Sequence, residues 1–102
     1  MSEDRRRLSD AEIGSALQGL PGWSLLAGKL HREFKFRDFV EAVGFMTSAA
    51  LVIQGMDHHP EWSNVYGTVR VDLVTHSASG VTATDVKLAT KLNELADRLK
   101  PA

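Results

Sequence analysis

The chain has no cysteine. That excludes disulfide bridges, thiol nucleophiles and thiolate metal centres together. It also lacks an excess of charge: twelve Lys and Arg against thirteen Asp and Glu leave a formal net charge of −1. Such a balance argues against binding nucleic acid or a membrane surface through a general electrostatic field. No apolar run approaches the roughly 20 residues that cross a bilayer. The charged N-terminal stretch has no apolar core of the kind a secretory signal needs. The expectation is a cytoplasmic protein with no membrane association and no direct nucleic-acid contact. Repeats, low-complexity tracts and linkers are also missing. The one conspicuous charge run, Arg5-Arg6-Arg7, reads as part of a flexible, solvated arm over residues 1–8.

What is present is a single domain of 102 residues, 43% apolar and 25% charged. A chain of this size builds one modest core and often gains stability by association. Leu8-Ser9-Asp10-Ala11-Glu12-Ile13 has the form of a capping box flanked by a hydrophobic staple, so a first helix is expected after Ser9. Gly19 and Pro21 stop it. A hairpin follows, turning at Ala27-Gly28-Lys29. In its second strand Leu30, Arg32, Phe34 and Phe36 share one face, while His31, Glu33 and Lys35 share the wet one. From Asp38 the period becomes helical. Phe39, Val43, Met46, Ala50 and Ile53 define the expected buried face of a largely buried helix that runs to about Met56 and is ended by Gly55 and Pro60. Strands near Ser63–Tyr66 and Thr68–Thr75 come next, with a turn at Gly67. "SASG" is a loop. A final helix from Thr82 or Thr84 presents Leu88, Leu92, Leu95 and Leu99, and Lys100-Pro101 close it. The order α-β-β-α-β-β-α predicts an α+β domain, a four-stranded antiparallel sheet with three helices on one face.

The titratable residues that stand out are Asp57, His58, His59, His76 and Asp85. The histidine pair follows a helix end and His76 ends the second strand pair, so the hairpin brings the two loops to one sheet edge. Three imidazoles and a water can hold catalytic zinc. Adjacent histidines diverge in extended chain, however, and the H-x-x-x-H helical spacing is absent. Metal-free acid–base chemistry suits imidazoles equally, since they exchange protons near neutral pH. Asp57 or Asp85 could orient one by accepting its second N–H. Plainer readings stand beside these. A histidine pair is often a surface accident, Asp85 falls where a carboxylate caps a helix begun at Thr82, and Trp62 has the character of a core aromatic as much as of a ligand platform.

Taken together, Asp57-His58-His59-Pro60-Glu61-Trp62, Asn64-Val65-Tyr66, Thr75-His76, Gly80-Val81-Thr82 and Asp85 resemble the pterin-4a-carbinolamine dehydratase family, also called the dimerisation cofactor of a homeodomain transcription factor. Gly22-Trp23, the stretch REFKFRDFVEAVGFM and Leu88-Ala89 extend the resemblance. It implies helices on one face of a four-stranded antiparallel sheet. It implies dehydration of 4a-hydroxytetrahydropterin to quinonoid dihydropterin in tetrahydropterin recycling, with no metal and no bound cofactor. The implied catalytic residues are His58, His59 and His76, with His58 and His76 leading as acid and base. Asp57, Trp62, Thr75, Asp85 and Gln54 would bind or orient. The implied partners are a pterin substrate, a second copy or three further copies of the chain, and a functional link to an aromatic amino-acid hydroxylase. A non-catalytic protein-binding or transcriptional-coactivator homologue is the alternative. Two positions depart from the family pattern: Gln54 replaces an ionisable residue, and Thr84 stands where some members carry arginine.

Overall fold

The computed structural model describes residues 5–99. The outer part of the expected arm, residues 1–4, and the closing Lys100-Pro101 lie outside the described residues. The elements are α1 (Asp10–Leu17), β1 (Ser24–Leu26), β2 (Lys29–Lys35), α2 (Phe39–Met56), β3 (Glu61–Val65), β4 (Thr68–Leu73), a 3-10 turn (His76–Ala78) and α3 (Ala83–Leu99). The four strands form one sheet, β1-β2-β4-β3, with every neighbouring pair antiparallel. This is the α+β architecture expected from the element order.

The capping box of α1 forms in both directions. Glu12 N–H donates to Ser9 Oγ at 3.1 Å, and Ser9 N–H donates to Glu12 Oε1 at 2.8 Å. Such a cap is worth about 1 kcal/mol. Arg6 adds a two-pronged bond to the same carboxylate, at 3.1 and 2.7 Å. Where it is described the arm is exposed over residues 5–7, as expected, but it is anchored. Leu8 N–H donates to Val81 O at 2.8 Å, and Arg7 forms an antiparallel bridge with Thr82. Composition predicted fraying; a backbone pairing with a segment more than seventy residues away overrides it.

Strand parity holds across the sheet. Leu30↔Leu73, Arg32↔Val71 and Phe34↔Val69 face the helices, while His31↔Asp72 and Glu33↔Arg70 face away. Arg32 tolerates the apolar side because its guanidinium lies 4.2 Å from the Phe34 ring centre and donates to Pro21 O at 3.0 Å. His31 lies on the outer face as expected but is half-buried, since Asp72 opposite it takes Nδ1 to 2.8 Å.

α2 departs from the expected packing. Its buried residues are Ala42, Phe45, Ala49 and Ile53, whereas Phe39, Val43 and Ala50 are exposed. The small Ala42 and Ala49 let the helix sit close to its neighbours, with Phe45 filling the gap; its ring lies 4.8 Å from Phe34 and 5.0 Å from Phe36. Burying Phe45 fully is worth about 1.5–3 kcal/mol. The helix is apolar on nearly every side, so periodicity alone could not select this face. By length and composition α2 would suffice to cross a membrane, yet its buried stripe is part of the core.

α2 ends at Met56, as expected, but a different residue makes the stop. Gly55 stays within the helix, and Asp57 terminates it in the left-handed region at φ 50°. Asp57 N–H reaches Gln54 O at 3.2 Å and His58 N–H reaches Ile53 O at 3.3 Å. This paired bonding is a Schellman motif, which turns the chain sharply and fixes where His58 begins.

Candidate active site

Asp85 is the centre of the site. It is completely buried at the third residue of α3. Oδ2 accepts from Thr75 Oγ1 at 2.8 Å and from Thr82 N–H at 2.9 Å, and Oδ1 meets His58 Nε2 at 2.5 Å. Capping and orienting are thus one arrangement, with one carboxylate oxygen for each task. The contact also joins the two loops, because Thr75 precedes His76 and His58 follows α2.

A carboxylate holding these donors can only accept from the imidazole, so Nε2 of His58 carries its proton. No buried side-chain nitrogen or oxygen lacks a partner among the described residues, and Nδ1 of His58 has none there. Nδ1 therefore reaches solvent with its lone pair available. The His58 side chain is only 13% exposed, which holds that nitrogen in one orientation.

His59 points elsewhere. Its Nε2 lies 3.3 Å from Gln54 Oε1, and with Ala50, Ile53, Gln54, Pro60 and Trp62 it lines a cavity of about 190 Å³. Trp62 is half-buried and packs on the core while also forming one wall of this cavity. A larger depression of about 370 Å³ on the outer sheet face is lined by Glu33, Lys35, Ser63, Val65, Thr68 and Arg70 and carries no imidazole.

His76 opens the 3-10 turn and is 78% exposed, with Nε2 at 3.5 Å from Glu61 Oε2. The Lys29 ammonium, hydrogen-bonded at 2.5 Å, holds the Glu61 carboxyl below its ordinary range, and His76 adds a smaller effect. Glu61 stays charged as a result. No hydrogen bond or ion pair joins His76 to His58 or His59 among the described residues; Asp85 couples the backbone of its loop to His58 through Thr75. Asp57 contributes its backbone turn, and its carboxylate has no partner among the described residues. No three His, Asp or Glu side chains converge as metal ligands among the described residues.

Two contributors escape sequence reasoning. Thr82 is expected as the start of a helix capped by Asp85, but no spacing points to the contact of its hydroxyl with Thr75 at 2.8 Å. Glu61 lies beside Trp62 on the opposite strand parity, and that parity sends it to the His76 side.

The family model for pterin 4 alpha carbinolamine dehydratase matches residues 6–95. A protein of Solibacter usitatus named "Putative pterin-4-alpha-carbinolamine dehydratase" is 56% identical over 90 residues, spanning 88% of this chain and 95% of that one. One of the same name from Rhodopseudomonas palustris is 51% identical over 98 residues, covering 94% and 97%. The crystal structure of a transcriptional coactivator/pterin dehydratase from Brucella melitensis superposes with a TM-score of 0.86 at 48% identity, over 89% of this chain and 99% of that one. The fold, the buried Asp85 site and these matches agree: the chain belongs to the pterin-4-alpha-carbinolamine dehydratase family.

Proposed function

We propose that this protein is a hydro-lyase that removes water from 4a-hydroxytetrahydropterin, using histidines as acid and base. The observation that carries the reading is the His58–Asp85 pair within a chain of this family. Elimination requires the N5–H proton to leave, the N5 electron pair to form the C4a=N5 double bond, and the C4a–O bond to break as its hydroxyl gains a proton. Water and quinonoid dihydropterin result, and no electrons are exchanged with another reactant. His58 takes the N5 proton on Nδ1, and the imidazolium so formed sits against the Asp85 carboxylate. His76, steadied by Glu61, supplies the proton to the leaving hydroxyl. His59 and Gln54 provide polar contacts to the pterin, and Trp62 offers it an aromatic wall. Gln54 donates and accepts hydrogen bonds but carries no charge, so it affects affinity rather than reaction type. The physiological setting would be cytoplasmic tetrahydropterin recycling beside an aromatic amino-acid hydroxylase.

The same reading includes self-association. α2 leaves Phe39, Val40, Val43 and Leu51 exposed, Val40 at 78% and Leu51 at 77%, and an apolar helix face of this kind is suited to a second copy. It would equally suit a protein partner, which keeps a coactivator role as the second reading, in line with the name of the Brucella relative.

The roles are tested by His58→Ala and His76→Ala, each expected to lower kcat by about 10²-fold or more. Near-wild-type rates in both would overturn the assignment.

A further inference from the structure

α3 begins with only half of a capping box. In α1 the cap hydroxyl accepts from the backbone of the third residue, Ser9 Oγ from Glu12 N–H. At α3 the backbone N–H of Asp85 goes instead to the Thr82 carbonyl oxygen at 3.1 Å. The Thr82 hydroxyl is turned away, to 2.8 Å from Thr75 Oγ1. A threonine hydroxyl has one hydrogen to give. Thr75 gives its own to Asp85 Oδ2, so the hydrogen between the two threonines comes from Thr82. The donors therefore run one way, from Thr82 to Thr75 to Asp85, and His58 Nε2 meets the other oxygen of that carboxylate. All three residues of the line are buried. The backbone at Thr82 is fixed from the other side by its bridge to Arg7, whose side chain crosses Gly80.

We propose that Thr82 is a positioning residue for His58: its hydroxyl holds Thr75 on Oδ2, the two donors there fix the plane of the carboxylate, and Oδ1 is so kept on His58 Nε2, which holds the proton on that nitrogen and the lone pair on Nδ1. The proposal rests on the reading of His58 as the base. It gives the half-made cap a purpose, since the hydroxyl leaves its own helix to complete the line behind the imidazole. Where the hydroxyls sit 2.8 Å apart, a methyl carbon would need about 3.5 Å or more. A valine at this position would therefore push the Thr75 hydroxyl off the carboxylate, whereas a serine would preserve the line.

The test compares Thr82→Val and Thr82→Ser in the full chain, with steady-state dehydration kinetics and the ¹⁵N signals of the His58 ring. Thr82→Val is expected to lower kcat about tenfold, the lower end for loss of an outer-shell partner, with KM little changed. His58 should pass from a single Nε2–H tautomer to a mixture, and Thr82→Ser should restore both readings. A folded Thr82→Val protein with wild-type kcat and unchanged His58 signals would overturn the proposal, as would a serine variant that behaves like valine. Should valine prevent folding, Thr82→Ala is judged by the same readings. The ¹⁵N measurement needs no turnover. If the wild-type chain proved inactive, the dehydratase reading would fall, while an Nε2–H tautomer in wild type that mixes in the variant would still uphold the positioning role. An Nδ1–H tautomer in wild type would overturn it.

Discussion

Asp85→Asn separates a structural carboxylate from one that sets the proton on His58. In the native site Oδ2 receives two donors, the Thr75 hydroxyl and the Thr82 N–H. The second is a backbone group and cannot turn around. An asparagine must therefore place its oxygen at Oδ2 and its NH₂ at Oδ1, facing His58 Nε2. Two donors cannot share that contact, so the imidazole would move its proton to Nδ1 and lose the lone pair assigned to the reaction. A wrong tautomer costs about 10⁴ in the serine-protease triad, and a positioned base is worth about 10²–10⁴ in general. We expect kcat to fall by at least about 10². Stability should fall much less. Three charge-assisted bonds become neutral ones while the burial cost of a charge disappears, a net loss of roughly 1–3 kcal/mol. For a domain of this size that is a shift on the order of 5–20 °C in Tm. The assay is steady-state dehydration together with a thermal melt followed by circular dichroism. A folded Asp85→Asn protein with kcat close to wild type would refute the tautomer argument. A protein that does not fold would show that the carboxylate is needed for the structure first.

Other outcomes follow from the same contacts. Leu51→Glu places a charge on the exposed apolar side of α2 and should reduce the mass measured by light scattering if copies associate there; an unchanged mass would place the interface elsewhere. Asp57→Gly relieves a left-handed residue and should leave Tm unchanged or raised, by roughly 0.5–1 kcal/mol of stability; a clear loss would mean that the carboxylate matters. The Arg6 guanidinium holds the Glu12 carboxyl at about 2, against an ordinary 4.5. A lowered carboxylate contributes stability above its unfolded value and loses it as the pH falls toward the folded one. Glu12→Gln should therefore flatten the decline in Tm between about pH 5 and pH 2, and parallel profiles would contradict the ion pair's role.

Features set by neighbouring residues were legible in the chain. The Ser9–Glu12 box, the parity of β2 and the extent of α2 depend on contacts within a few positions. The buried face of α2 was not legible, because Phe39, Val40, Val43, Phe45, Met46, Leu51 and Ile53 surround the helix and leave no polar side to contrast with. The residue that ends it was not legible either: Gly55 advertises a stop, but Asp57 takes the left-handed turn that glycine usually takes. The anchoring of the arm was not legible because its pairing partner, Val81-Thr82, is distant in sequence. At the site, both plain and functional readings of Asp85 were available from spacing, and its carboxylate makes both the helix-start bond to Thr82 N–H and the contact with His58 Nε2. The direction of the Thr82 and Thr75 hydroxyls could not be read from any pattern, since it depends on two loops meeting at one buried carboxylate.

The central claim is tested most directly by supplying synthetic 4a-hydroxytetrahydropterin to the purified protein and following its dehydration, with and without a chelator. The account predicts acceleration well above buffer, and the same rate after chelation. No acceleration would contradict the dehydratase reading, and activity lost to the chelator would contradict the metal-free histidine mechanism.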